Sequence, residues 1–323
     1  MKTTASLNGC SVHASLPVRT CACASLNRPA RSVSLLGSPR STDLRCTKIN
    51  KIDRQLVQRS QRRKKHVPRA LLEETITAIT DTPLRDALAV GFSIVGAKVL
   101  VGIFEYLEEI GAMDKKLSRK LVHTLAGPLF LFCWPLFSSA PYAQYLAALV
   151  PSLNGIRLVL AGTETVKDPR AIAAMTRTGD PAELLRGPLY YVIVLLTVTA
   201  LYWRGSPVGL VVTSLMCGGD GLADIVGRRF GQTNPLPWNP EKSWAGTFAM
   251  FVGGLIMALC LLWYFSVLGY QTLDFSTSAG VLVIIAFVAT VIESLPINKI
   301  VDDNLSVPGV AALLGTMMLQ VMF

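Results

Sequence analysis

Asp220, Asp224 and Arg228 recur every four residues within Cys217-Gly-Gly-Asp-Gly-Leu-Ala-Asp-Ile-Val-Gly-Arg-Arg-Phe-Gly231. On a helix this spacing aligns them as one stripe. Two carboxylates one turn apart suit Mg²⁺, which takes oxygen ligands and keeps waters and substrate phosphates. Asp220 and Asp224 are therefore the candidate metal ligands. Arg228, Arg229 and Lys242 are candidate partners for phosphate, arginine as a two-pronged donor and lysine as a point charge. Gly219 and Gly221 let backbone approach a ligand closely. Lys242-Ser-Trp-Ala-Gly246 opens a long apolar run, where free helix N–H groups favour anions, and this adds Ser243 and Gly246 to the phosphate-binding set. A plainer reading makes Asp224–Arg228 an i,i+4 ion pair and the glycines helix-packing sites. The density of charge beside apolar runs favours a phosphate–metal site, because charge at a membrane edge is costly. Walker A, kinase catalytic-loop and Rossmann patterns do not occur in the sequence, so the site follows none of those designs.

His123 follows Arg119 by one helical turn, with Lys120 between them. It could orient or deprotonate a hydroxyl, or simply pack at an interface. Asn154 and Arg157 fall inside an apolar run, where an arginine is a site hypothesis with phosphate as its natural partner, or else snorkels. Glu293 and Asp302-Asp-Asn304 could join the metal site or cap the last helix.

The elements that position these residues are transmembrane helices. The 323 residues are 51% hydrophobic and only 16% charged, against about 25% charged in soluble proteins. Runs 87–104, 121–139, 141–163, 187–203, 205–219, 243–273, 275–292 and 305–323 approach the roughly 20 apolar residues that a spanning helix needs. Their continuity argues against β-barrel alternation. The expected fold is all-α: a polytopic bundle of about seven (six to eight) transmembrane helices. Five tryptophans lie mostly near run ends, as interfacial anchors do. Cys133, Cys217 and Cys260 sit singly in or beside apolar runs and read as small buried hydrophobes.

The net charge of +10 is unevenly placed. Residues 1–70 carry 15 Lys+Arg against 2 Asp+Glu, and the remainder is slightly acidic. Positive charge confined to a leader does not support nucleic-acid binding. Residues 1–66 are rich in Ser, Thr, Ala and Arg and poor in acids, the composition of a disordered organelle transit peptide, plastid before mitochondrion. That leaves 67–323 as one transmembrane domain.

Several segments carry a family resemblance. Arg119-Lys-Leu-Val-His123, Glu183-Leu-Leu-Arg-Gly-Pro-Leu-Tyr-Tyr191, the 217–231 segment, Lys242-Ser-Trp-Ala-Gly246, and Glu293-Ser-Leu-Pro296 with Asp302-Asp-Asn-Leu305 resemble, in order, the plant phytol kinases of the polyprenol kinase family. The resemblance runs from about residue 85 to the C-terminus. It implies a multi-pass chloroplast membrane enzyme that phosphorylates phytol with CTP or UTP in preference to ATP. The product, phytyl phosphate, would serve phytol salvage from chlorophyll and tocopherol synthesis. Asp220, Asp224, Lys242 and His123 would then be the catalytic set, with Mg²⁺ or another divalent cation. Farnesol or geranylgeraniol kinase is the near alternative. The Asp-rich and Lys-Ser-Trp-Ala-Gly segments also resemble a CTP-dependent lipid-phosphate cytidylyltransferase. That family has Glu where Ala245 stands here, and its downstream signature does not occur. A non-catalytic transporter is the remoter alternative.

Overall fold

The computed structural model describes residues 82–271, 275–299 and 301–319. The expected disordered transit peptide, 1–66, lies outside the described residues. Helix α1 (Pro83–Glu109) begins where Thr82 caps the Arg85 N–H and a proline fills the first turn. It ends before Gly111, whose φ of 73° suits glycine. Asp114 caps α2 (Lys115–Cys133). Then come α3 (Ala143–Gly162), the short α4 (Pro169–Met175) capped by Asp168, and α5 (Gly187–Leu201). Helix α6 (Pro207–Ser214) passes through one π-helical turn, Leu215–Gly219, into α7 (Asp220–Phe230). A two-stranded antiparallel hairpin, β1 (Pro235–Leu236) and β2 (Asn239–Ser243), leads to α8 (Trp244–Val267). Helices α9 (Phe275–Ser294) and α10 (Asp303–Met318) complete the bundle.

Among the described residues the chain passes from end to end eight times, with α6 and α7 counted as one pass. Five segments are long and apolar enough to cross a membrane: Pro83–Glu109, Ala143–Gly162, Pro181–Leu201, Pro207–Phe230 and Trp244–Val267. The all-α membrane bundle expected from the sequence is thus the observed architecture. One end is tied by Asp86, which accepts hydrogen bonds from the Ser138 N–H (2.7 Å) and hydroxyl (2.8 Å). There too Arg204 donates to the Phe137 (2.9 Å) and Ser138 (2.6 Å) carbonyls. The opposite end gathers the remaining loops and most of the charge.

Lipid offers no hydrophobic drive for helix association, so close packing through small residues matters most. Helices α7 and α8 meet through glycines. A Cβ on Gly227 would stand 3.5 Å from the Gly246 Cα, and one on Gly219 would stand 3.7 Å from the Gly254 Cα. The central core adds Leu131, Trp134, Leu215, Met250 and Phe265, all essentially buried.

Three expectations change. The apolar run 205–219 does not end the span: the polar 220–230 segment forms the last turns of the α6–α7 pass, 78% of whose apolar window is buried. Asp220 is tolerated there because Lys120 and His123 of α2 face it, whereas Asp224 and Arg228 pair with each other and Arg228 and Arg229 are exposed. Trp134 is no interfacial anchor: it is fully buried against Phe130, Trp203 and Phe265. Cys133 and Cys217 are buried as expected, but Cys260 is exposed on the outer surface.

Candidate active site

Helix α2 carries Lys116, Arg119, Lys120 and His123 at i, i+3, i+4 and i+7 spacing, which sets them on one face. That face meets the start of α7. Lys120 Nζ lies 2.7 Å from Asp220 Oδ2, and His123 Nε2 lies 3.2 Å from the same oxygen. The contact needs Gly221, since a Cβ there would sit 2.0 Å from Thr124 Oγ1. The π turn just before Asp220 is a feature often found at functional sites. Tyr191 on α5 holds His123 from behind: its hydroxyl donates to the His123 carbonyl (3.1 Å) and the rings lie 4.5 Å apart.

One turn along α7, Asp224 pairs with Arg228, whose Nε is 3.0 Å from Oδ1. A second ionic cluster lies beside them. Lys242, on β2, reaches Glu293 at the end of α9 and Asp303 Oδ2 (2.9 Å) at the start of α10. Burial alone would lower the Lys242 pKa. The charges of Glu293 and then Asp303, with their hydrogen bonds, outweigh it and hold that pKa above the usual lysine value. Burial pushes the Asp303 carboxyl up despite Lys242.

All these groups line one cavity of about 1750 Å³. Of the residues that the sequence singled out, His123, Asp220, Asp224, Arg228, Lys242, Ser243 and Gly246 line it. Gly219, Gly221 and Arg229 do not: the two glycines face packing neighbours, and the Arg229 guanidinium lies over Phe230. Ser243 Oγ caps α8 by accepting the Gly246 N–H (3.2 Å). Arg157 also lines the cavity and is paired with Asp168 (2.6 Å). Asp302 caps α10. Lys120 and Tyr191 were not singled out, although helical spacing from His123 points to Lys120.

The carboxylates fit a divalent cation only in the manner of a nucleotide-bound one. Among the described residues no group of three His, Cys, Asp or Glu side chains could hold a metal. Mg²⁺, however, is commonly held by one or two carboxylates together with phosphate oxygens and water. Asp220 and Asp224 stand one turn apart on the cavity wall, Asp220 already paired with Lys120 and Asp224 with Arg228.

The chain is 48% identical over 229 residues to "Probable phytol kinase 1, chloroplastic" of rice, covering 71% of this chain and 73% of the relative. It is 45% identical over 240 residues to "Phytol kinase 1, chloroplastic" of Arabidopsis thaliana, covering 74% and 78%. "Farnesol kinase, chloroplastic" of the same plant matches at 40% over 235 residues, covering 72% and 75%. No protein-family model and no solved structure matches the chain. Relatives this similar over most of their own length, together with the charge-lined cavity in an apolar bundle, show that the chain belongs to the plant phytol kinase family.

Proposed function

We propose that this chain is a membrane kinase that moves the γ-phosphoryl group of a nucleoside triphosphate, CTP or UTP, onto the hydroxyl of phytol. The products are phytyl phosphate and the nucleoside diphosphate. The observation that carries the reading is a single cavity whose polar half holds Lys120, His123, Asp220, Asp224 and Arg228 and whose other half is apolar. Such a cavity lets a long apolar alcohol and a charged donor meet. The relatives' names support the acceptor class. Their chloroplastic naming and the leader composition support a plastid membrane, reached through residues 1–66.

Phosphoryl transfer depends mostly on positioning and charge stabilisation. Arg119, Arg228 and Lys120 neutralise the triphosphate. His123 takes the proton of the attacking hydroxyl, and the Asp220 carboxylate beside Nε2 favours the imidazolium that forms. The hydroxyl oxygen bonds to the γ-phosphorus as its bond to the β–γ bridging oxygen breaks. Asp220 and Asp224 would hold Mg²⁺, which when bound supplies charge neutralisation of the phosphates. Lys242, locked by Glu293 and Asp303, fixes the ends of α9 and α10 against β2 and presents its charge to the same cavity.

The test is the full chain expressed in a microbial membrane and assayed across a grid of prenyl alcohols and nucleotides. Prenyl phosphate with a nucleoside diphosphate is the expected product. A CDP-lipid with pyrophosphate would instead indicate a cytidylyltransferase, and no turnover on any alcohol would overturn the kinase reading. The farnesol kinase relative makes farnesol the second acceptor to include.

A further inference from the structure

The cavity, at about 1750 Å³, exceeds the roughly 300–1,000 Å³ usual for one small ligand. Only part of it lies among charges. The rest opens sideways between α1 and α3. These helices touch at the Asp86 end, where Ala89 packs with Ala143 and Ala147. Further along they part, and Ala97, Lys98 and Leu153 line the cavity yet are exposed. Two polar side chains flank this mouth, Lys98 on α1 and Asn154 on α3. Neither has a hydrogen bond or ion pair among the described residues. Neighbouring helices fix their level. A Cβ on Gly96 would stand 4.0 Å from Leu129 Cδ2, and the Ser118 hydroxyl donates to the Phe104 carbonyl (3.4 Å). That antiparallel register sets Lys98 about one turn of α2 from His123, on its apolar side. A Cβ on Gly155 would stand 3.4 Å from Val192 Cγ1, so Asn154 lies near the level of Tyr191 and of the His123 it holds. Lys98 is the one charge in the run 87–104. It stands seven residues before Glu105, or about 10 Å of helix rise. A four-carbon stem cannot lift its charge to either end of α1. An ionisable group at such depth is costly and serves a cavity or a partner.

We propose that Lys98 and Asn154 bind the phosphate head of the prenyl phosphate product as it leaves sideways between α1 and α3 into the bilayer. The inference rests on the prenyl alcohol kinase reading, which supplies an anion with an apolar tail. An alcohol hydroxyl is neutral, and the Asn154 amide alone would meet it. Phosphorylation turns that head into an anion, and an anion beside an apolar wall needs a counter-charge. Lys98 supplies the charge and Asn154 adds amide N–H donors. The nucleotide has no need of this mouth. Its charge is matched at the cavity end by Arg119, Lys120 and Arg228, whereas Lys98 shares its branch with Ile94, Val101 and Leu129.

Product inhibition of the full chain in microbial membranes, with phytyl phosphate as the added inhibitor, tests the assignment. Lys98→Met keeps the side chain's length and removes its charge. It is expected to weaken inhibition by phytyl phosphate about tenfold, the scale of one hydrogen bond to a charged group. Asn154→Leu should weaken it by a smaller factor, and Lys98→Arg should retain it. The nucleotide KM and inhibition by inorganic tripolyphosphate should hold in all three. Asn154→Leu decides the matter if Lys98→Met does not accumulate. Inhibition by phytyl phosphate that is unmoved in a folded variant overturns the doorway while leaving the kinase reading intact. Inhibition by tripolyphosphate that weakens equally also overturns it, since Lys98 would then serve the donor's phosphates. A wild-type chain that phosphorylates no alcohol would instead fail the kinase reading itself.

Discussion

Lys120 Nζ and Asp220 Oδ2 lie 2.7 Å apart although a hundred residues separate them in the chain. The pair ties the second pass to the α6–α7 pass at the level where the cations converge. Both side chains are mostly buried, at 15% and 19% exposure. Removing one partner of such a pair strands the other charge, at about 3–5 kcal/mol. Asp220→Asn is therefore expected to lower turnover by about a hundredfold or more, the scale of losing one preorganised charge contact. Lys120→Met should do the same. The double variant should lose less than the sum, since part of each loss comes from the contact they share. Initial-rate assays on matched amounts of folded protein check this. Fully additive losses would show that the pair is not a unit.

Lys242 gives a pH signature. Its pKa in the folded chain lies above the ordinary 10.5, so the stabilisation it provides is complete below pH 10.5 and disappears only as pH rises through the folded value. The melting-temperature difference between wild type and Lys242→Met should be flat from neutral pH to about pH 10 and shrink above that. A difference that collapses near pH 8 would contradict the arrangement with Glu293 and Asp303.

Gly221 is expected to act through packing rather than ligand contact. A Cβ there would meet Thr124 Oγ1 at 2.0 Å and Thr124 Cβ at 2.9 Å. Gly221→Ala should destabilise by about 1–3 kcal/mol and displace Asp220 from α2. Adding Thr124→Ala removes the tighter contact and should recover part of the loss. Thermal melts of the single and double variants measure it, and no recovery would place the fault elsewhere.

Membrane orientation follows from charge placement. Arg85 and Arg204 stand at the Asp86 end, whereas Lys115, Lys116, Lys167, Arg170, Arg177 and Arg186 stand at the cavity end. Loops rich in Lys and Arg stay on the side from which a protein inserts. In a bacterial inner membrane, Lys167→Cys should react with an impermeant maleimide only after the cells are opened, and Gly205→Cys in intact cells. The background is removed by replacing Cys260, Cys10, Cys21, Cys23 and Cys46 with serine. The reverse pattern would invert the topology.

The bundle and the α7 stripe were legible because hydropathy and four-residue spacing are local properties. Asp220, Asp224 and His123 could be singled out for the same reason. What brings His123 to Asp220 is not local: the π turn and the fit of Thr124 over Gly221 set it. That the 220–230 helix continues the 205–219 span was not legible, because the partners of Asp220 come from α2, far away in sequence. The glycines carried two meanings, ligand approach or helix contact. Only their neighbours, Met250, Gly254 and Thr124, distinguish the two for Gly219 and Gly221. Lys242 looked free for phosphate because Glu293 and Asp303 enter from the last two helices.

Helix α1 has 27 residues, and only 17% of its most apolar window is covered by protein. At 1.5 Å per residue it is about 40 Å long, more than the roughly 30 Å of bilayer hydrocarbon. Leu88, Phe92, Val95, Val99 and Ile103 are left to acyl chains. The surrounding lipid thus covers what protein leaves bare on α1, and bilayer thickness sets the tilt of that helix. Detergent extraction will loosen α1 before the ionic cluster, so a delipidated preparation will hold nucleotide while handling its alcohol poorly.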